Sequence, residues 1–134
     1  MSDPTQTPTT VSNIGVAMFT ISDQDAAIAY YTQTLGWELR ADVPFGDEGG
    51  NRWVEVAPPG SGARLALNPP MGEWGPGGSA IGVETPDVQA EYERVQAIGG
   101  IKTGEPMGGE GPVPRMFSIA DPDGNHIWVV QARA

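Results

Sequence analysis

The sequence predicts an α+β protein made of two tandem β-α-β-β-β modules. Short apolar stretches rich in strand-forming residues alternate with turns rich in glycine and proline. Two longer stretches carry helix start and stop signals. The order of one strand, one helix and three strands occurs twice, with a period of roughly 65 residues between strand starts. These observations predict modules at about residues 13–70 and 79–131.

In the first module, residues 13–21 (NIGVAMFTI) predict a strand and residues 22–36 a helix. Ser22 is the expected N-cap of this helix, and Gly36 is its expected C-terminal stop. Three further strands are expected where alternating apolar residues lie between turns, at WELRADV (37–43), NRWVEVAPP (51–59) and ARLALNPP (63–70).

The second module repeats this order. Residues 79–85 (SAIGVET) predict a strand, and residues 86–100 predict a helix with Pro86 near its start and Gly99 after its end. Three strands follow, at 101–105, 114–120 and 126–131. At 134 residues the chain is long enough for one compact domain. We expect that domain at residues 13–134, preceded by a disordered or loosely attached tail at 1–12.

Composition excludes several kinds of site. The chain has no cysteine and one histidine, His126, so a disulfide, a thiolate metal site or a cluster of histidines cannot form within it. Its formal charge of −10 would repel nucleic acid and anionic membranes and favours a neutral or cationic small molecule. Neither a membrane-spanning apolar stretch nor a signal peptide is present, so we expect a cytoplasmic protein.

Two motifs resemble those of a known superfamily. FTISDQDAAIAYYTQTLGWEL, at residues 19–39, is similar to the first strand, helix and FY…LG signature of the vicinal oxygen chelate superfamily, which includes glyoxalases, bleomycin resistance proteins and extradiol dioxygenases. IADPDGNHIWVVQ, at residues 119–131, resembles its final turn and strand. The resemblance implies an incomplete barrel formed by the two modules around a concave ligand cup, and a homodimer.

Strand alternation indicates which side chains would line such a cup, because successive side chains point to opposite faces of a sheet. The larger apolar residues of each strand are expected to face the helices. The residues expected to face the cup combine aromatic, polar and charged groups and include Met18, Trp53, Glu55, Arg64, Asn68, Glu84, His126 and Trp128.

The resemblance also implies where a metal would bind. The four metal-ligand positions of the superfamily correspond here to Val16, Ala66, Ala80 and Trp128. None of these side chains carries a donor suited to a divalent metal. We therefore expect no metal and no other cofactor.

The candidate functional residues fall into two groups. His126, with Glu55 or Glu84, could form an acid/base pair, although a lone histidine beside a turn is more often structural. The candidate ligand-binding residues offer flat aromatic faces or polar contacts: Trp53, Trp128, Arg64, Asn68, Met18 and, in the bridge between modules, Trp74. Trp37, at a strand start, is expected in the core.

These observations favour a metal-independent small-molecule-binding protein. Its resemblance to bleomycin resistance proteins implies antibiotic or toxin sequestration, with an aromatic or cationic ligand. The alternative is an enzyme related to glyoxalases, a lyase, isomerase or dioxygenase-like oxidoreductase, that acts on a small organic substrate. A third hypothesis is a structural or regulatory protein whose cup is filled by its own side chains.

Overall fold

The computed structural model of the protein describes residues 7–44, 50–70, 73 and 75–133. Within them the chain forms eight strands and two α-helices. In chain order these are β1 (Val16–Thr20), α1 (Gln24–Ala29), β2 (Glu38–Pro44), β3 (Arg52–Ala57), β4 (Arg64–Asn68), β5 (Ala80–Thr85), α2 (Val88–Ile98), β6 (Lys102–Thr103), β7 (Met116–Ala120) and β8 (His126–Gln131). Each half therefore has the predicted β-α-β-β-β order.

The strands form two open four-stranded sheets with the same topology. Their orders are β1-β4-β3-β2 and β5-β8-β7-β6. In each sheet the first and last strands of a module pair in parallel, and the remaining neighbours are antiparallel. This arrangement confirms the predicted α+β fold class. The part of the predicted tail at residues 1–6 lies outside the described residues.

The N-cap of α1 differs from the prediction. Asp23, not Ser22, is the N-cap, because its side chain accepts a hydrogen bond from the Ala26 amide at 3.0 Å. The helix continues into a π-helical segment at Tyr30–Thr34. Gly36 then adopts a positive φ of 82°, and the Trp37 amide donates to the Tyr31 carbonyl at 2.9 Å. Residue 37 is thereby held at a fixed place beside the end of the helix.

The core lies between the helices and one face of each sheet. In β1, β3, β4, β5 and β8 the apolar residues that were expected to face the helices are buried or packed against this core, and they include Phe19, Ile21, Val54, Val56, Leu65, Leu67, Ile81, Val83, Ile127 and Val129. The edge strand β2 differs, because its apolar residues Leu39 and Val43 are 47% and 50% exposed. Trp37 also packs against the core, with its ring centroid 5.3 Å from that of Tyr31. Strand alternation therefore identified the buried face of each sheet.

The turn at residues 121–125 (DPDGN) joins the two halves. The Asn125 side chain is fully buried and donates to the Thr20 carbonyl at 3.0 Å, and its oxygen accepts from the Ser79 amide at 3.2 Å. The Asp121 carboxylate accepts a hydrogen bond from the Tyr31 hydroxyl at 2.8 Å. Because Thr20 and Tyr31 belong to the first half, this turn of the second half fixes how the halves pack.

No helix within the described part of the chain is both long and apolar enough to cross a membrane.

Candidate ligand-binding site

A buried charge network covers part of the first sheet. Glu55 is 9% exposed and lies 3.0 Å from the Arg64 guanidinium, measured between Oε1 and Nε. Its other carboxylate oxygen accepts the Trp53 indole N–H at 3.0 Å. Three residues that were predicted to line the cup are thus brought together. Glu55 is engaged on both oxygens, which is the usual condition for burying a carboxylate.

The same face of the second sheet is open. In the strand register Trp128 lies between Gly82 on β5 and Ser118 on β7. Trp128 is half-buried, whereas Gly82, Glu84 and His126 are exposed. Both residues directly opposite the indole on the neighbouring strands are therefore small.

The catalytic candidates His126, Glu55 and Glu84 do not lie together. His126 pairs with Ala80 and Glu84 with Val130 along the parallel β5–β8 ladder. Four residues of strand therefore separate His126 from Glu84, which corresponds to ~13 Å. Glu55 is occupied by Trp53 and Arg64. Among the residues that the structure describes, no ion pair includes His126.

The side chains present do not fit the metal that the fold family implies. At the four corresponding positions, Val16 and Ala66 lie in the first sheet, and Ala80 and Trp128 in the second. Their side chains offer no oxygen, sulfur or imidazole donor. Across the described ranges, no group of three or more histidine, cysteine, aspartate or glutamate residues could hold a metal ion.

A cleft of about 800 Å³ opens where the edge strands β1 and β5 approach each other. Of the predicted ligand-binding residues, Arg64 lines it, and the catalytic candidate Glu84 lines it as well. The other predicted contacts, Met18, Trp53, Asn68 and Trp128, lie on the sheets outside its lining, with Met18 54% exposed and Asn68 buried. Trp74 lies outside the described residues.

The cleft also includes residues that the sequence assigned to the helix side or did not single out. Its walls contain Ala17, Leu65, Ile81, Val83, Trp37 and the loop from Pro58 to Ser61. It therefore extends through the gap between β1 and β5 toward the helix side. Strand alternation could not reveal this opening, because it depends on how far apart the two sheet edges stand.

Arg40 fixes one wall of the cleft. Its guanidinium donates to the carbonyls of Ser61 at 2.9 Å and Pro58 at 3.3 Å. The Ser61 amide also donates to the Pro58 carbonyl at 3.0 Å. The loop that follows β3 is thus preorganised, a feature that favours ligand binding because little ordering remains to be done.

Two tyrosines beside the 121–125 turn have perturbed acidities. Burial, together with the nearby charge of Asp121, raises the pKa of Tyr30 to about 12. Burial raises the pKa of Tyr31 further, and the charge and hydrogen bond of Asp121 act in the same direction. Both hydroxyls therefore stay protonated at neutral pH and serve as structural donors.

The sequence profile described as "Glyoxalase/Bleomycin resistance protein/Dioxygenase superfamily" matches residues 13–129. The chain belongs to this superfamily. Among solved structures, TnmS3, an antibiotic binding protein from Streptomyces sp. CB03234, is 32% identical with a TM-score of 0.80, and the match covers 94% of this chain and 100% of that chain.

Two more distant relatives show the range of this superfamily. The bleomycin-binding protein of Streptomyces verticillus, solved with copper(II)-bleomycin, shares the fold at 23% identity, with a TM-score of 0.69 and coverage of 92% of this chain and 99% of that chain. A probable lactoylglutathione lyase of Vibrio cholerae is 28% identical over 130 residues, which cover 85% of this chain and 86% of the relative. The similar proteins thus include both an antibiotic binding protein and a probable lyase.

Proposed function

We propose that this protein binds a small organic molecule without the help of a metal, and that it sequesters an antibiotic or toxin with an aromatic or cationic group. The main support is the half-buried Trp128, which stands on an open sheet face at a position where a metal ligand would be expected in this superfamily. Its indole offers a stacking surface in place of a metal donor. The similarity to an antibiotic binding protein supports the same function.

In this proposal the ligand lies on the open face of the second sheet and reaches the cleft. Trp128 stacks on a planar group of the ligand, and the exposed thioether of Met18 adds an adaptable apolar contact. Arg64 faces the cleft and supplies a polar contact while Glu55 holds it in place. Trp53 and Asn68 complete the proposed ligand-binding set on the first sheet.

We also propose that the protein forms a homodimer. The outer edges of β1 and β5 and the apolar walls of the cleft are surfaces that a second copy could cover. A C2 dimer is the commonest symmetric assembly for a single chain. Sedimentation velocity at micromolar concentration should give a dimer, and a monomer at all accessible concentrations would refute this part of the proposal.

A thermal-shift screen against a library of natural antibiotics and planar aromatic cations tests the function. We expect at least one compound to raise the melting temperature and to change tryptophan emission with one-to-one stoichiometry per chain. The compound should be recovered unchanged, and metal analysis of the complex should find no stoichiometric metal from the protein. If no compound among a broad library stabilises the protein, the proposal fails.

The second candidate function is an enzyme, and the probable lactoylglutathione lyase among the relatives supports it. The exposed His126 would then act as the general acid or base. In that case product analysis of a bound compound would show turnover, and His126→Gln would lower it by a factor of about 100 while leaving binding intact. A sequestering protein would show no turnover and a modest effect of His126→Gln on affinity.

A further inference from the structure

A second cavity adjoins the cleft on the helix side of β5. It has a volume of about 310 Å³, and its floor is formed by apolar core residues such as Ile119 and Val129. Five residues line both this cavity and the cleft, namely Trp37, Pro58, Pro59, Val83 and Glu84. The two cavities therefore meet at one junction, which extends from Trp37 and Val83 on the helix side of β5 to Glu84 on the sheet face that also carries Trp128.

The walls of this junction are held rigidly. Trp37 is fixed by the hydrogen bond from its amide to the Tyr31 carbonyl and by contact with the Tyr31 ring. The two prolines belong to the loop that Arg40 holds by its hydrogen bonds to Pro58 and Ser61. Val83 and Glu84 lie within β5, which pairs along its length with β8. An aromatic ring and a carboxylate thus line one preorganised junction.

The charge at the junction is not balanced. Arg64 is paired with Glu55, and Arg94, on the rim of the smaller cavity, is paired with Glu91 at 2.7 Å. The hydrogen bond to Glu91 raises the pKa of Arg94 above its ordinary value. Within the described part of the chain, Glu84 takes part in no ion pair. The carboxylate shared by both cavities is therefore the one without a cation.

We propose that this junction is a binding subsite for an organic ammonium group, which is held between the Trp37 indole and the Glu84 carboxylate while the apolar parts of the ligand extend into the two cavities. The ring attracts the cation through its quadrupole and the carboxylate through its charge. The subsite rests on the proposed small-molecule function and adds a charge requirement to it. The net charge of −10 raises the local concentration of such cations.

Two probes of nearly equal shape test the charge requirement: phenyltrimethylammonium and its uncharged isostere, tert-butylbenzene. Each is titrated into isotopically labelled protein while the indole signal of Trp37 and the amide signals of Val83 and Glu84 are followed by NMR. We expect phenyltrimethylammonium to shift these signals and to bind about fivefold more tightly than the isostere at low salt. Raising the ionic strength should reduce this preference.

Two variants assign the effect to the junction. Glu84→Gln removes the charge and keeps the shape, so it should reduce the preference for the cation to less than about twofold. Glu105→Gln, at an exposed residue outside both cavities, removes the same charge and should leave the preference unchanged. Trp37→Phe keeps an aromatic ring and should weaken binding of the cation, because indole is the better cation-binding ring.

The outcomes separate this subsite from the proposed function. Equal binding of the two probes, an unchanged preference in Glu84→Gln, or no shift of the Trp37 and Glu84 signals would each overturn the ammonium subsite. If the antibiotic screen still finds a ligand whose binding shifts Trp128, small-molecule binding stands without the subsite. If the screen fails while phenyltrimethylammonium binds at Trp37 and Glu84, the subsite stands, and the sequestering function fails.

Discussion

The two modules share one topology but differ at equivalent positions of their inner faces. At the middle of the first sheet the register aligns Met18, Ala66 and Glu55. At the middle of the second it aligns Gly82, Trp128 and Ser118. A small residue lies between two large ones in the first module, and a large residue lies between two small ones in the second. The two sheets share one topology. The sizes of the side chains determine how much open space each inner face leaves for a ligand.

The consequence is an unequal division of roles. In the first module, Ala66 is fully buried and Glu55 is engaged by its own sheet neighbours. In the second, Glu84 and His126 are exposed on either side of the row that contains Trp128. We infer that the first module contributes a polar wall closed by its own contacts and that the second contributes the main stacking surface for the ligand. Four pairs of variants test the differences between the modules.

The largest effect is expected at the turn of the second module. Asn125→Ala removes a fully buried amide that donates to the Thr20 carbonyl and accepts from the Ser79 amide. The Thr20 carbonyl keeps the Gly77 amide as a partner, whereas the Ser79 amide loses its side-chain acceptor. The free energy of unfolding should fall by about 2 to 3 kcal/mol in urea denaturation.

A variant in the corresponding turn of the first module provides the control. The Ser61 side chain donates a hydrogen bond to the Ala63 carbonyl, which lies in the same loop. Ser61→Ala should therefore change the free energy of unfolding by less than about 0.5 kcal/mol. Equal losses in the two variants would show that the turns are equivalent and that the second module does not fix the packing of the halves.

Tyr31→Phe should have the next largest effect, about 1 to 2 kcal/mol, because it removes the hydrogen bond to the buried Asp121. Tyr92→Phe is the control. Tyr92 packs edge-on against Phe117 within the second module, and a phenylalanine can keep that contact. Its unfolding free energy should change by less than about 0.5 kcal/mol, as measured by urea denaturation.

Tyr30 and Tyr31 also predict how stability depends on pH. Burial raises the folded pKa of Tyr30 to about 12 and also raises that of Tyr31, whereas the ordinary pKa of tyrosine is 10.0. Above pH 10 the unfolded chain loses protons that the folded protein keeps, so their contribution to stability is complete below pH 10 and falls as the pH rises toward 12. The fall should be shallower in Tyr31→Phe than in Tyr92→Phe.

Much of the fold could be predicted from the sequence because strand alternation and turn residues are local signals. The bounds of β8, at residues 126–131, match the structure, and so do the buried faces of β1, β3, β4, β5 and β8. The predicted N-cap at Ser22 was wrong. The next residue, Asp23, can also cap a helix, and its carboxylate accepts the hydrogen bond from the Ala26 amide.

The site was less predictable because it depends on distances between segments. The predicted set included Trp53, Glu55 and Arg64, but alternation could not show that they bond to one another. It also missed the shared junction at Trp37 and Pro58, since this junction forms where a helix end meets a loop from another strand. The placement of Trp37 in the core was correct, yet the same residue also lines both cavities.

Glu55→Gln tests whether the network in the first module is structural. The change removes the charge that pairs with Arg64 at a nearly buried position, so stability should fall by about 1 kcal/mol in urea denaturation. Glu84→Gln, at an exposed glutamate of the second module, should change it by less than about 0.5 kcal/mol. Similar losses in both variants would argue that neither module has a closed face.

The last prediction concerns ligand affinity, and it tests the division of roles most directly. Trp128→Ala removes the indole that lies between Gly82 and Ser118, so a planar ligand found by the thermal-shift screen should lose about 1 kcal/mol of stacking, which is about a fivefold loss of affinity. Trp53→Phe keeps an aromatic face and loses the hydrogen bond to Glu55, so affinity should change less than about twofold. Both variants should keep the parent circular dichroism spectrum. If Trp53→Phe weakens binding as much as Trp128→Ala does, the first module contacts the ligand as closely as the second, and the difference in side-chain size does not determine where the ligand binds.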